Sequence, residues 1–233
     1  MRLLLSILFL FLLFSCNNTT TRLDTFEVHG IDISRYQSII NWEKIWEQDI
    51  HFAFAKATEG KEHKDTTFQR NWLEMRRLGI KRGAYHFFRP TISATVQAQN
   101  FIKFVDIEGG DLPPVLDVEV TDGVSKTELL DGIRAWLFQV EINYDIKPII
   151  YTNQDFFNEY IAGHFEDYPI WIARYSSWRK PRLDSNQKWH FWQYGNKGKL
   201  EGIEGNVDFN VFKGSLNELE ELCLPQSMVI SMK

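Results

Sequence analysis

The chain has only two cysteines in 233 residues, Cys16 and Cys223. So small a complement excludes the disulfide framework on which many small exported domains lean and leaves stability to a hydrophobic core. An excess of positive charge is also lacking: 26 Lys and Arg stand against 31 Asp and Glu, a formal charge of -5. That balance argues against non-specific nucleic-acid binding, which needs a basic footprint. After the N-terminal apolar run, no stretch approaches the roughly 17 to 25 apolar residues that span a bilayer. The first strand-like segment, GIDISRYQ, is followed by no Gly-rich phosphate loop, which disfavours an open dinucleotide-binding sheet. The histidines (His29, His51, His63, His86, His164 and His190) include no close-spaced pair of zinc ligands, and no Asp-rich calcium loop occurs. Neither a metal nor a cofactor is expected. Internal repeats, low-complexity tracts and an appended binding module are absent too.

What is present begins with MRLLLSILFLFLLFSCNN, in which Arg2 precedes an apolar run from Leu3 to Phe14 and then Ser15 and Cys16. This is an export signal. LFSC resembles the lipobox of bacterial lipoproteins, where the leader is cut before a cysteine that takes lipid on its thiol; simple cleavage or a retained anchor are the alternatives. The expected organisation is a leader over 1–15, a polar tether over 16–26, one domain over 27–222 and a tail over 223–233. Cys223 is expected to be a small buried apolar residue, with a Cys16 to Cys223 bridge as the alternative. A lipid at Cys16 makes a membrane a partner and the bacterial cell envelope the address, periplasmic or on an outer membrane, or outside the cell if the leader is simply cut.

At 44% hydrophobic and 15% aromatic residues the chain can bury a large core, and a single-domain monomer is expected. Strand character recurs at 27–34, 51–57, 82–88, 113–120, 147–152, 169–175, 188–194 and 206–212. Helical spacing separates the early ones, at 41–49, 66–79, 93–107, 125–143 and 154–162. Ser125 with Glu128 three residues on is the sequence form of a capping box. After about residue 163 the helical spacing stops, apart from a short closing helix at 215–222. Alternating strand and helix predicts an α/β fold with a parallel sheet, and eight strands suit a closed, TIM-like barrel with helices mainly after the first five strands.

LPPVLDVEV, residues 112–120, puts two carboxylates inside an apolar stretch. Residues i and i+2 of a strand point to one face, so Asp117 and Glu119 share a side near the strand's end. In a parallel barrel the C-terminal rim collects such side chains, and Asp32 and Asp208 fall in strand segments as well. Crowding like charges in a partly desolvated mouth raises the proton affinity of at least one of them. An acid beside an ionised carboxylate is the equipment of glycosidic bond cleavage. A salt-bridged pair on an edge strand is the bland alternative, as core packing is for each of the aromatics Tyr85, Phe87, Tyr151, Trp171, Tyr175, Trp192 and Tyr194. Gathered at one rim, those rings would suit the C–H faces of sugars.

HGIDISRYQ, FAFAKATEG, RGAYHFFRP, LDVEV, IIYTN, YPIWIARY, FWQYG and GNVDFNVF, in this order over about residues 28–213, resemble glycoside hydrolase family 25, the lysozymes of muramidase type. The resemblance implies an eight-stranded barrel with helices only after the first five strands. It also implies hydrolysis of peptidoglycan glycan strands at the β-1,4 bond between N-acetylmuramic acid and N-acetylglucosamine. By motif, Asp32, Asp117, Glu119 and Asp208 fall on the family's four active-site acids, Glu119 as the general acid and Asp117 as the group that positions or charge-stabilises the reacting sugar. It implies a neighbouring-group route in which the substrate's N-acetyl group attacks the anomeric carbon. Tyr85, Tyr151, Trp171, Arg174 and Gln193 are the substrate-binding candidates, and Lys56 with Glu59 reads as an ion pair under the mouth, with substrate contact as the alternative. Ser38 and His63 depart from the usual pattern, where a Gly or Pro and an aromatic are commoner. A non-catalytic glycan-binding lipoprotein and a glycosidase for another amino-sugar polymer such as chitin are the competing readings.

Overall fold

Strand and helix alternate through the first two thirds of the chain, as the apolar spacing demands. The computed structural model describes residues 19–226. The leader expected over 1–15, the lipidation site Cys16 and residues 227–233 lie outside the described residues. The strands are β1 (Val28–Ile33), β2 (Phe52–Glu59), β3 (His63–Lys64), β4 (Lys81–Phe87), β5 (Val115–Asp117), β6 (Ile149–Asn153), β7 (Ile170–Ala173), β8 (Phe191–Gly198) and β9 (Val207–Phe212). Helices α1 (Trp42–Trp46), α2 (Phe68–Arg77), α3 (Ala94–Phe104), α4 (Lys126–Tyr144) and α5 (Gln154–Phe156, continued as a wider turn over Phe157–Ile161) follow the first five barrel strands, and α6 (Leu216–Leu222) closes the domain.

Strand order is β1-β9-β8-β7-β6-β5-β4-β2, and parallel pairing of β1 with β2 closes the barrel. β3 is a two-residue hairpin extension of β2 outside the expected set of eight. The expectation of a parallel sheet fails at one strand: β9 runs antiparallel to both β8 and β1. The physical reason is the link between β8 and β9, which at residues 199–206 is too short for a crossover helix and permits only a hairpin.

Two-residue alternation sorts each strand between barrel interior and helical layer. Phe52 and Phe54 point inward, where Phe54 stacks on Trp171 at 4.4 Å between ring centroids and lies 5.2 Å from Phe191. Glycines on the flanking strands make room for these rings: a Cβ on Gly30 would lie 2.4 Å from the Phe52 ring, and one on Gly83 would lie 2.3 Å from that of Phe54. The outward residues pack under the helices. On α4, Leu129, Ile133, Trp136, Leu137, Val140 and Tyr144 are buried at helical spacing, each such side chain contributing roughly 1.5–3 kcal/mol. Its start is the expected capping box: the Ser125 hydroxyl accepts from the Glu128 N–H, and the Glu128 carboxylate accepts from the Ser125 N–H at 2.8 Å.

Among the described residues no helix covers the outer face after β7, and the segment before β1 takes that place. Phe26 lies 6.1 Å from Trp189 and 6.0 Å from Trp192, and Leu23 packs on the same core. The Thr20 N–H donates to the Lys197 carbonyl at 3.1 Å, and Arg22 donates to the carbonyls of Gln48 and Asp49 at 2.6 and 2.8 Å. From Thr20 on, the stretch expected as a polar tether is a strap fastened to the barrel, because Leu23 and Phe26 cover apolar surface that would otherwise be wet. At the other terminus Cys223 is buried, its thiol donating to the Leu219 carbonyl at 3.3 Å, and Leu224 bonds through its backbone to Gly110 and Asp111.

Candidate active site

Asp32 sits near the end of β1, and the antiparallel register places Asp208 directly opposite it, at the start of β9. Reversal of the last strand is what brings Asp208 to the mouth. Asp117 ends β5, and Glu119, two residues further on, faces the same cleft of about 290 Å³. All four expected acids line that cleft, together with Lys56, Tyr85, Phe87, Tyr151, Trp171, Tyr175 and Gln193.

The four carboxylates are held above their ordinary proton affinity. Burial, then the charge of Glu119, pushes Asp117 well above the usual aspartate range. Its Oδ1 is buried with no hydrogen-bond partner in the protein, which adds to the preference for a proton. Burial also raises Glu119, while the Tyr151 hydroxyl and the Lys56 ammonium pull it back. Across the mouth, burial and the neighbouring Asp208 raise Asp32 well above the aspartate range, against the donors Gln193 and Asn210. Burial pushes Asp208 up to about 6. Each pair, 117 with 119 and 32 with 208, therefore takes up a proton more readily than two isolated carboxylates would.

Hydrogen bonds orient the floor. Gln193 Nε2 and Asn210 Nδ2 both donate to Asp32 Oδ2, at 2.8 and 2.7 Å. The Tyr151 hydroxyl donates to Gln193 Oε1 at 2.9 Å, and the Trp171 indole N–H donates to Asn210 Oδ1 at 2.8 Å. Among the described residues no group of three or more His, Cys, Asp and Glu is arranged to hold a metal ion. Lys56 bonds Glu59 at 2.7 Å while also facing the cleft, and Arg89 completes the network on Glu59 at 2.6 Å.

The other candidates divide. Tyr85, Tyr151, Trp171 and Gln193 reach the cleft, whereas Arg174 does not: its Nη1 donates to Gln154 Oε1 at 2.9 Å and to the Lys180 carbonyl at 3.2 Å. Alternation explains this, since Trp171 and Ala173 take the inward positions and send Ile172 and Arg174 outward. Trp192 and Tyr194, on either side of inward Gln193, likewise pack outside the barrel, against the strap and the last strands. Trp171 is only 2% exposed and serves as floor; the open rings at the cleft are Tyr175 at 57% and Tyr36 at 76%. Tyr36, Ser34, Gln37 and Asn210 escaped the sequence reading. Asn210 had a signal, two residues after Asp208 and so on the same face; the three rim residues had none. Of the two departures, His63 lies exposed in β3, and Ser38 ends the Arg35–Gln37 turn at a φ of 53°.

A closed barrel whose mouth gathers two desolvated carboxyl pairs above an aromatic floor has the makings of a sugar-cleaving hydrolase. The model of a protein family described as glycosyl hydrolases family 25 matches residues 31–203. YegX, an uncharacterised Escherichia coli K12 protein, is 44% identical over 201 residues, covering 84% of this chain and 73% of its own. Lysozyme M1 of Streptomyces globisporus is 35% identical over 218 residues, covering 84% and 71%. A family 25 glycosyl hydrolase structure from Bacillus anthracis superposes with a TM-score of 0.83 at 34% identity, covering 90% of this chain and all of that one. The chain belongs to glycosyl hydrolase family 25, and it is a glycoside hydrolase of the lysozyme and muramidase kind.

Proposed function

We propose that this enzyme cuts peptidoglycan glycan strands at the β-1,4 bond between N-acetylmuramic acid and N-acetylglucosamine, with Glu119 as the proton donor. The observation that carries this reading is the Asp117 and Glu119 pair, adjacent, desolvated and biased toward protonation in a cleft floored by aromatic rings. The lysozyme relatives support the choice of substrate. In the proposed reaction Glu119 gives its proton to the glycosidic oxygen as the C–O bond breaks. For this step the proton of the coupled pair sits on Glu119 and Asp117 is ionised; the oxygen of the substrate's N-acetyl group closes on the anomeric carbon, and Asp117 stabilises the positive charge that develops on that group. Water then opens the ring and returns a proton to Glu119. Tyr85 and the open face of Tyr175 hold the sugar over the pair.

Glu119→Gln keeps the shape and removes the acid, so release of reducing ends from purified walls should fall at least about 100-fold with the fold unchanged. Turnover close to wild type would end this assignment. Mass spectrometry of the fragments identifies the new sugar end and so the bond; cleavage of chitin oligomers in preference to walls, or binding of fragments without any product, would instead favour the competing substrate or a non-catalytic binder. We also propose that Cys16 carries lipid and that the enzyme works, as a monomer, in the cell envelope, on the strength of the LFSC motif. Cys16→Ser, followed by membrane fractionation, tests this: the variant should leave the membrane pellet.

A further inference from the structure

Two amide side chains at the bottom of the cleft reach Asp32, and one of them, Asn210, has no freedom in how it is oriented. An indole N–H can only donate, so the 2.8 Å bond from Trp171 Nε1 fixes Oδ1 of Asn210 toward the indole and Nδ2 toward Asp32. Asn210 is 1% exposed and Gln193 2%, so neither amide has solvent as an alternative partner. Gln193 is held less strictly: its Nε2 reaches Asp32, while its Oε1 lies 2.9 Å from the Tyr151 hydroxyl, whose single proton also serves Glu119. Both donors end on one oxygen, Asp32 Oδ2. That oxygen, occupied as an acceptor twice over, cannot carry a proton, so any proton on Asp32 is confined to Oδ1 and hence to the side left for Asp208. Trp171 and Tyr151 are each linked through one of these amides to the same carboxylate.

We infer that Asn210 is a positioning residue for sugar cleavage: it locks Asp32 with Oδ2 as a pure acceptor, confines the proton of the Asp32 and Asp208 pair to the gap between them, and ties that pair to the Trp171 floor. Gln193 donates to the same oxygen from the Tyr151 side. The inference rests on the proposed role of the acid cluster in cleavage, but its consequences are separable from it. A substrate that presses on Trp171 shifts Asn210 and so alters how the pair holds its proton; charge in the pair is in turn felt at the indole.

The first test needs no turnover. In wild-type enzyme the ¹H–¹⁵N resonance of the Trp171 indole should titrate with the pair, with a step near the Asp208 value of about 6. In Asn210→Ala the indole signal should move upfield, having lost its acceptor, and that step should vanish. A wild-type indole that is flat from pH 4 to 8 overturns the coupling, whether or not the enzyme cleaves walls. The second test is the pH profile of wall cleavage. Asn210→Ala removes one charge-assisted donor and should move the Asp32 and Asp208 inflection up by about one pH unit. Asn210→Asp, which adds a fifth carboxylate, should move it further, with kcat down at least about tenfold and KM changed less. A merely structural role would lower melting temperature and kcat in proportion while leaving the inflection where it is, and that result would refute the positioning role. If either variant fails to fold, the wild-type indole titration still decides.

Discussion

Replacing Asp208 with asparagine separates what the acid cluster does for chemistry from what it does to stability. Burial lifts Asp208 from its ordinary 3.8 to about 6. A group whose folded-state pKa is raised contributes stability that is fully present below the unfolded value and is lost as pH rises through the folded one. For Asp208 that window runs from about pH 4 to just above 6. A displacement of about two pH units corresponds to about 3 kcal/mol. Coupling to Asp32 and partial contact with solvent reduce the usable part to about 1–3 kcal/mol. The amide of Asp208→Asn is neutral at every pH and can donate to Asp32, which is buried and otherwise faces a like charge. The variant should therefore match wild type near pH 4 and exceed it by about 1–3 kcal/mol at pH 7.5, a rise of roughly 3–9 °C in melting temperature for a domain of this size. Calorimetry at both pH values measures it, and wall-cleavage assays alongside should show activity falling as stability rises. An equal difference at the two pH values, or a variant less stable at pH 7.5, would refute the claim that the site strains the fold by holding like charges together.

Wall cleavage as a function of pH should be fastest on the acid side and decline as pH rises through the elevated proton affinity of Glu119, with a midpoint above the ordinary 4.5; a midpoint at or below 4.5 would remove burial as the cause. Gly83→Ala puts a methyl group 2.3 Å from the Phe54 ring, which must shift against Trp171, so urea unfolding should register a loss of about 1–3 kcal/mol together with weaker cleavage. Asp111→Ala takes from Arg82, whose side chain is 3% exposed, two bonds of 2.6 and 3.0 Å and leaves it the Trp72 carbonyl at 2.9 Å and Glu108 at 3.7 Å; unfolding should show a loss of about 2–3 kcal/mol with the cleft intact. Ser38→Gly relieves a non-glycine residue held at a φ of 53°, and a melting curve should report a gain of about 1 kcal/mol at unchanged activity.

Much of the architecture was legible because it rests on local periodicity. The spacing of Leu129, Ile133, Trp136 and Val140 announced α4, and Ser125 with Glu128 marked its start. The four acids were legible for a related reason, since each stands in a strand segment whose apolar neighbours leave it only the inner face or the end. Illegible were features that depend on which strand end meets which. Arg174 reads as a rim residue in PIWIARY, yet the inward parity belongs to Trp171 and Ala173, and nothing in the segment says which parity faces in. Trp192 and Tyr194 fail for the same reason, being fixed to the outside once Gln193 is inside. The strap from Thr20 to Phe26 looked like a tether because two apolar side chains among polar ones signal little until the bare outer face of β8 is known.

The direction of β9 was the deepest of these hidden features, and the site depends on it. Positions 208, 210 and 212 share the inner face whichever way the strand runs, so sequence alternation alone places an aspartate, an asparagine and a phenylalanine along one line. In a parallel strand Asp208 would lie at the closed end, where Val28, Phe52 and Phe191 fill the barrel, and Phe212 would stand in the mouth. Reversal inverts that order: Phe212 packs on Phe191 at 4.9 Å in the interior, Asn210 reaches Asp32 and Trp171 in the middle, and Asp208 meets Asp32 at the rim. A carboxylate left in the apolar interior would carry a desolvation cost of several kcal/mol with no partner. The short hairpin between β8 and β9, which forbids a helix, is thus also what makes a second carboxyl pair possible at the mouth.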